Sequence, residues 1–232
     1  MDLFDIARQK RRKAPPRDPI FCADRAWSHG AETGFMKDIE DAFQHLAQQI
    51  LEGGKSTFDD QESKIITEFY GLCQARADCR HLPYQYTKLN GATGSSRPLS
   101  VDELEILEKH NITGIRPDGT IAMRHFLPSM ILADIERINA EVEGKSWGVL
   151  RSIESEFCVP DIISRGILPL TPRFVLAIAI PSDVITEGSV ALINQTICAN
   201  IREHLFARDL DACPGIPPSV WTQTTSEISK PV

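Results

Sequence analysis

The sequence of 232 residues has no uninterrupted apolar stretch near the roughly 18 residues that a membrane helix requires. Its longest apolar run, Phe174–Ile180, is of strand length. Asp2 and Asp5 stand where a signal peptide would carry bases, and no apolar segment follows them. The expectation is a soluble, cytoplasmic protein without a membrane partner. No repeating spacing relates the six cysteines, Cys22, Cys73, Cys79, Cys158, Cys198 and Cys213, so they are expected as free thiols rather than a disulfide framework.

Complete catalytic motifs are also lacking. Gly54-Lys55-Ser56 ends like a phosphate-binding loop, but the required earlier glycine is replaced by Gln49, and a helix precedes the motif instead of a strand. Cys73, Cys79 and His81 lack the close pairing of zinc ligands. On one helix the two cysteines would be turned by about 240° from each other. Glu143-Gly144-Lys145 has the E-x-K form of a metal-dependent nuclease core, yet Asp161 follows it where a partner aspartate should precede. It reads as a helix end. No G-x-S-x-G is present, and His29, His45, His81, His110, His125 and His204 show no paired spacing. His45 and His204 are placed on helices. No cofactor and no metal site are expected.

What the chain does have is apolar material for a core, 42% of its residues, and a lopsided charge. Residues 8–17 carry +6 against a total of −7, so the rest of the chain carries −13. An acidic body disfavours nucleic acid, whose phosphates dominate such affinity, except through residues 8–17. A protein partner could dock on the acidic body or on the basic arm.

Residues 1–20 read as a basic, flexible arm, 21–210 as a single α+β domain, and 211–232 as a Pro-rich tail. Apolar residues at 35, 36, 39, 43, 46, 47 and 50 follow the helical period and stop at Gly53-Gly54. A second helix starts at Asp59 or Asp60, with Ile65, Ile66, Phe69, Leu72 and Cys73 as its stripe and Pro83 beyond its end. Ser100 and Glu103 are spaced as a capping box for a short helix ending near His110. Pro117-Asp118-Gly119 is a turn, with Ile115 and Ile121 as hairpin flanks. A long helix runs from Leu127 to Glu143, with Pro128 in its first turn, Met130, Ile131, Ile135 and Ile138 on one face, and Gly144 as its stop. Strands follow over 146–152, 156–159 and 167–180, then a helix over 189–206. The predicted fold class is α+β: helices over 35–143 packed on a small antiparallel sheet (115–122 and 146–180), closed by the C-terminal helix.

Within the second half, Trp147-x-x-Leu150-x-Ser152 precedes Glu156-Phe157-Cys158-Val159-Pro160-Asp161, then Pro169-Leu170-Thr171-Pro172, then Ile193-Asn194 and Leu205-Phe206. This order resembles the mostly bacterial family called domain of unknown function 4238, with its Trp strand, E-F-I-T-S-D strand end, P-L-S-P element and I-N helix. Upstream, Phe35 with Ile39-Glu40 and Phe69 with Arg76 are similar to the family's first helices. The resemblance covers residues 35–80 and 147–208. Pro19–Asp24 departs from the H-x-[IV]-P segment with which members commonly begin.

The resemblance picks out four polar residues: Glu40, Arg76, Asp161 and Asn194. Two readings stand. One is a structural network, with Glu40–Arg76 bridging two helices and Asp161 capping a loop or bonding Asn194. The other is a pocket of two carboxylates, an arginine and an amide for a metal or an anion. Two functions follow: a non-enzymatic binding or regulatory component, of a bacterial defence or toxin-related system, or a metal-dependent hydrolase or nuclease using Asp161 and Glu40.

Overall fold

Leu3 and Phe4, inside the expected arm, are 1% and 2% exposed, and this overturns the reading of residues 1–20 as flexible. In the computed structural model, which describes residues 1–21, 27–80, 82, 85–110, 112–163 and 165–216, they lie on strand β1 (Asp2–Asp5). Strand β2 (Lys10–Lys13) returns alongside it as a hairpin. The basic run is a strand rather than a tail because its bases find acids. Arg11 and Lys13 reach Asp2, and Arg12 is paired with Asp18.

The remaining elements, in chain order, are α1 (His29–Thr33), α2 (Phe35–Gly53), α3 (Asp60–Cys79), β3 (Tyr86–Lys88), α4 (Val101–Lys109), β4 (Thr120–Ala122), α5 (Leu127–Val142), β5 (Trp147–Ser152), β6 (Val159–Pro160), β7 (Ile167–Thr171), β8 (Phe174–Ile178), β9 (Asp183–Ile185), α6 (Glu187–Cys198) and β10 (His204–Ala207). The protein is α+β. No helix among the described residues is long and apolar enough to cross a membrane. Instead of one domain over 21–210, the chain divides into two compact units. The first comprises residues 1–22, 54–63 and 144–232, and the second 23–53 and 64–143.

In the first unit, one sheet has the strand order β2-β1-β10-β6, all antiparallel. A second sheet has the order β7-β8-β5-β9, and its β5–β9 pair is parallel, so it is mixed where an antiparallel meander was expected. Phe4 of β1, Leu150 of β5, Val175 of β8, Val190 and Ile197 of α6, and Leu205 of β10 share one core. The predicted closing helix is shorter than its apolar spacing implied. Ile197, Ile201 and Leu205 lie four apart, as on a helix, but α6 stops at Cys198 and residues 204–207 pair with β1. His204 is therefore on a strand, a correction to its helical placement. Of the predicted tail, Cys213 and Ile216 are buried in the same core, while residues 217–232 lie outside the described residues.

The second unit packs α2, α5 and the 64–79 part of α3. Met36, Leu72, Ala75, Cys79, Leu127, Ile131 and Ile135 form its core. A Cβ on Gly71 would sit 3.4 Å from Ile135, so the small residue lets α3 and α5 approach closely. Phe43 and Phe69 stack with centroids 3.8 Å apart. Met130, placed on the buried stripe of α5 by spacing, is exposed. The Asp118-Gly119 turn is present, and the Ser100–Glu103 capping box is formed. Strand β4, however, pairs with β3 in a separate two-stranded sheet, which removes residues 115–122 from the sheet of 146–180.

Candidate functional site

The four polar residues singled out in the sequence fall as two pairs, one in each unit. In the second unit, Arg76 of α3 donates to Glu40 of α2 and bridges the two helices as the network reading expected. In the first unit, Asn194 is 0% exposed on the inner face of α6. Its Oδ1 accepts from the Cys158 N–H at 3.0 Å, and its Nδ2 donates to the carbonyls of Glu156 and Pro214 at 3.0 and 2.9 Å. Both amide protons and the carbonyl are thus committed to backbone. Gly215 keeps that loop against α6, since a Cβ there would lie 2.3 Å from the Ala191 carbonyl and its φ is +80°. Glu156 is also buried, and its carboxylate is held by Arg208.

Asp161 caps the loop before β10. Its carboxylate accepts from the backbone N–H groups of Arg202 and Glu203 at 3.1 and 2.8 Å, and its own N–H donates to the His204 carbonyl at 3.0 Å. That cap brings Asp161 to two residues the sequence reading did not join to it. Ligand atoms of Asp161, Glu203 and His204 all lie within 4.8 Å of one another, and all three residues are half-buried. On its other side the His204 ring faces β1, with Nε2 3.9 Å from the Asp5 carboxylate, while Nδ1 is 3.9 Å from Glu203. The two N–H groups that Asp161 accepts are divided between its oxygens, one on Oδ1 and one on Oδ2.

Beside this cluster opens a cleft of about 660 Å³, lined by Asp5, Arg8, Arg12, Asp18, Glu203 and His204 among others. Arg8 is ion-paired with Asp5 at 3.5 Å, and Arg12 grips Asp18. That grip holds the Asp18 carboxyl at about 2, below the usual carboxylate range. The cleft wall is therefore charged at neutral pH, with both signs present. Two carboxylates and an imidazole make an oxygen- and nitrogen-rich donor set, suited to a divalent transition ion or Mg²⁺ more than to soft metals.

Glu203 and His204 escaped sequence reasoning because a strand of four residues was hidden in an apolar spacing of four. The signal was in the alternation: Leu205 and Ala207 are buried while His204 and Phe206 are half-exposed, the period of a strand. Burial pushes the Cys73 thiol up to about 12, Cys79 is buried in the helical core, and His81 lies outside the described residues. Lys55 is paired with Glu62, and Glu143 is the C-cap of α5.

Comparison with protein-family models, with curated proteins and with solved structures finds no match for this chain.

Proposed function

We propose that the protein is a non-enzymatic binding component that takes a divalent cation at Asp161, Glu203 and His204 and presents it to the neighbouring cleft. The observation that carries this reading is the convergence of those three side chains within 4.8 Å. The reading keeps Asp161 from the expected polar set and leaves Glu40 out, since Glu40 is engaged by Arg76 in the other unit. Broad nucleic-acid binding is no part of it, because Arg11, Arg12 and Lys13 are matched by Asp2, Asp18, Asp209 and Asp211. Kinship with domain of unknown function 4238, a bacterial cytoplasmic setting and a role in a defence or toxin-related system belong to the same proposal. They rest on the sequence features that raised them.

A second reading, a metal-dependent hydrolase, draws on the cleft itself. Arg8, exposed beside the cation site, suits an anionic substrate, and a bound divalent ion could activate water there. Calorimetric titration with Mn²⁺ and Zn²⁺ tests the shared part. Saturable binding lost in Asp161→Asn and His204→Ala supports a cation site, and no binding to the wild type removes both readings. Turnover of a chromogenic phosphodiester by the Mn²⁺-loaded protein, abolished in the same variants, would favour the hydrolase.

A further inference from the structure

A second cavity lies within the second unit, where the chain entering α4 meets residues 114–118. It measures about 350 Å³, and Leu99, Leu104, Ile115, Arg116 and Asp118 are among the residues that line it. Two glycines let its walls close. A Cβ on Gly114 would lie 2.6 Å from Leu104 Cδ2, and one on Gly94 would run into the Arg116 carbonyl. The Ser95 N–H donates to the Ile115 carbonyl at 3.2 Å, and the Arg116 N–H donates to the Thr120 carbonyl at 2.9 Å. The backbone of this wall is thus tied on both flanks, and the cavity is preformed. Leu99, Leu104 and Ile115 are each half-buried, which leaves apolar surface to be covered. An apolar chamber of this size with few polar groups has the character of a small-molecule site.

Arg116 is the charged group of this wall that the fold leaves unspent. Its guanidinium carbon lies 3.5 Å from the centroid of the Tyr86 ring. Such stacking steadies the planar fork without consuming its N–H groups. No carboxylate among the described residues is hydrogen-bonded to that fork. Asp118, by contrast, is occupied. Its Oδ1 accepts from the Thr120 hydroxyl at 2.7 Å and from the Thr120 N–H at 3.0 Å, and these bonds keep its carboxyl below the usual range. Lys88 donates to the Asp118 carbonyl, so two cations face one carboxylate here, a net charge of +1. We propose that this cavity binds a small monocarboxylic acid with an apolar body. The ring or branched chain lies against Leu99, Leu104 and Ile115, and the carboxylate takes the fork of Arg116, whose geometry it matches. The fixed charge of Asp118 selects against doubly charged anions. The site does not depend on the cation at Asp161, Glu203 and His204, which lies in the other unit.

Phenylacetate is the probe. Calorimetric titration of the full chain should give saturable binding. Neutral phenylacetamide and doubly charged phenyl phosphate should each bind at least about tenfold more weakly, because the hydrogen bonds at stake are charge-assisted. Arg116→Gln should weaken phenylacetate to the same degree, whereas Arg151→Gln, exposed on β5 in the first unit, should leave it unchanged. In the wild type, nuclear Overhauser effects from the ring protons of phenylacetate should reach the methyl groups of Leu99, Leu104 and Ile115, a readout independent of any variant's folding. Absence of saturable binding, Overhauser effects confined to other methyl groups, equal affinity for either analogue, or undiminished binding by folded Arg116→Gln would each overturn the proposal.

Discussion

Arg11 on the edge strand of the first sheet donates to the carboxylate of Asp2 on the adjoining strand at 2.6 Å, and Asp2 is 1% exposed. Lys13 approaches the other oxygen at 2.6 Å, and the Leu210 N–H adds a third contact at 3.2 Å. Burial alone would raise the Asp2 carboxyl, but these three partners outweigh it and hold it at about 2. A folded-state value below the unfolded one means that the stabilisation is complete above about pH 4 and is lost as the pH falls toward 2. Because Lys13 and Arg11 reach Asp2 from the solvent side, the loss should be no more than about 2 kcal/mol. Urea midpoints at neutral pH and near pH 2.5 measure it, and Asp2→Asn should flatten the difference between them.

The hairpin that carries this pair should behave as core. Leu3→Ala should cost about 2–5 kcal/mol, the range for emptying a buried leucine site. Deleting residues 1–13 should lower the melting point sharply or abolish soluble expression, whereas a dispensable arm would leave both unchanged.

Asn194 should be among the least replaceable polar residues. Asn194→Ala strands the Cys158 N–H and the Glu156 and Pro214 carbonyls, each worth about 1–3 kcal/mol when left unsatisfied. Denaturant unfolding should show a loss of at least about 3 kcal/mol. Asn194→Asp should also destabilise the fold, because it sets a carboxylate oxygen against two carbonyls.

Glu40 should tolerate replacement. The Glu40 and Arg76 side chains are 42% and 27% exposed, so their ion pair is near the surface class worth about 0–1 kcal/mol. Glu40→Gln should therefore shift the melting point by no more than about 4 °C. A larger drop would show that the bridge between α2 and α3 carries more of the second unit than its exposure implies.

Local signals were legible in the sequence wherever one residue type does one job. Gly54 and Gly144, at φ of +66° and +73°, end their helices where expected. Ser100 with Glu103, and Asp59 with Glu62, cap the next ones. Glu40 and Arg76 were singled out by the family resemblance, and periodicity made legible only the helices that carry them. The rest was hidden by distance along the chain. Nothing in Asp2–Asp5 announces a partner at 204–207, and nothing in Asp161 names Glu203 and His204 as neighbours. Basic residues that look like a tail in one dimension become an edge strand once Asp209 and Asp211 are brought back beside them. A run of four residues is too short for periodicity to decide its class, which is why β10 was absorbed into the preceding helix.

The pairing of β1 with β10 also sets a timetable for biosynthesis. Residues 2–5 are translated about 200 residues before the strand they pair with, a delay of roughly 10–40 s at ordinary elongation rates. Until then Leu3 and Phe4 lack the strand that covers them, while residues 64–143, once made, can pack with 23–53 before residues 204–207 follow. The nascent chain therefore spends its synthesis with a sticky N-terminal strand exposed. The Lys10–Lys13 run that follows it, by holding positive charge next to that strand, is placed to keep nascent chains apart until residues 204–207 arrive.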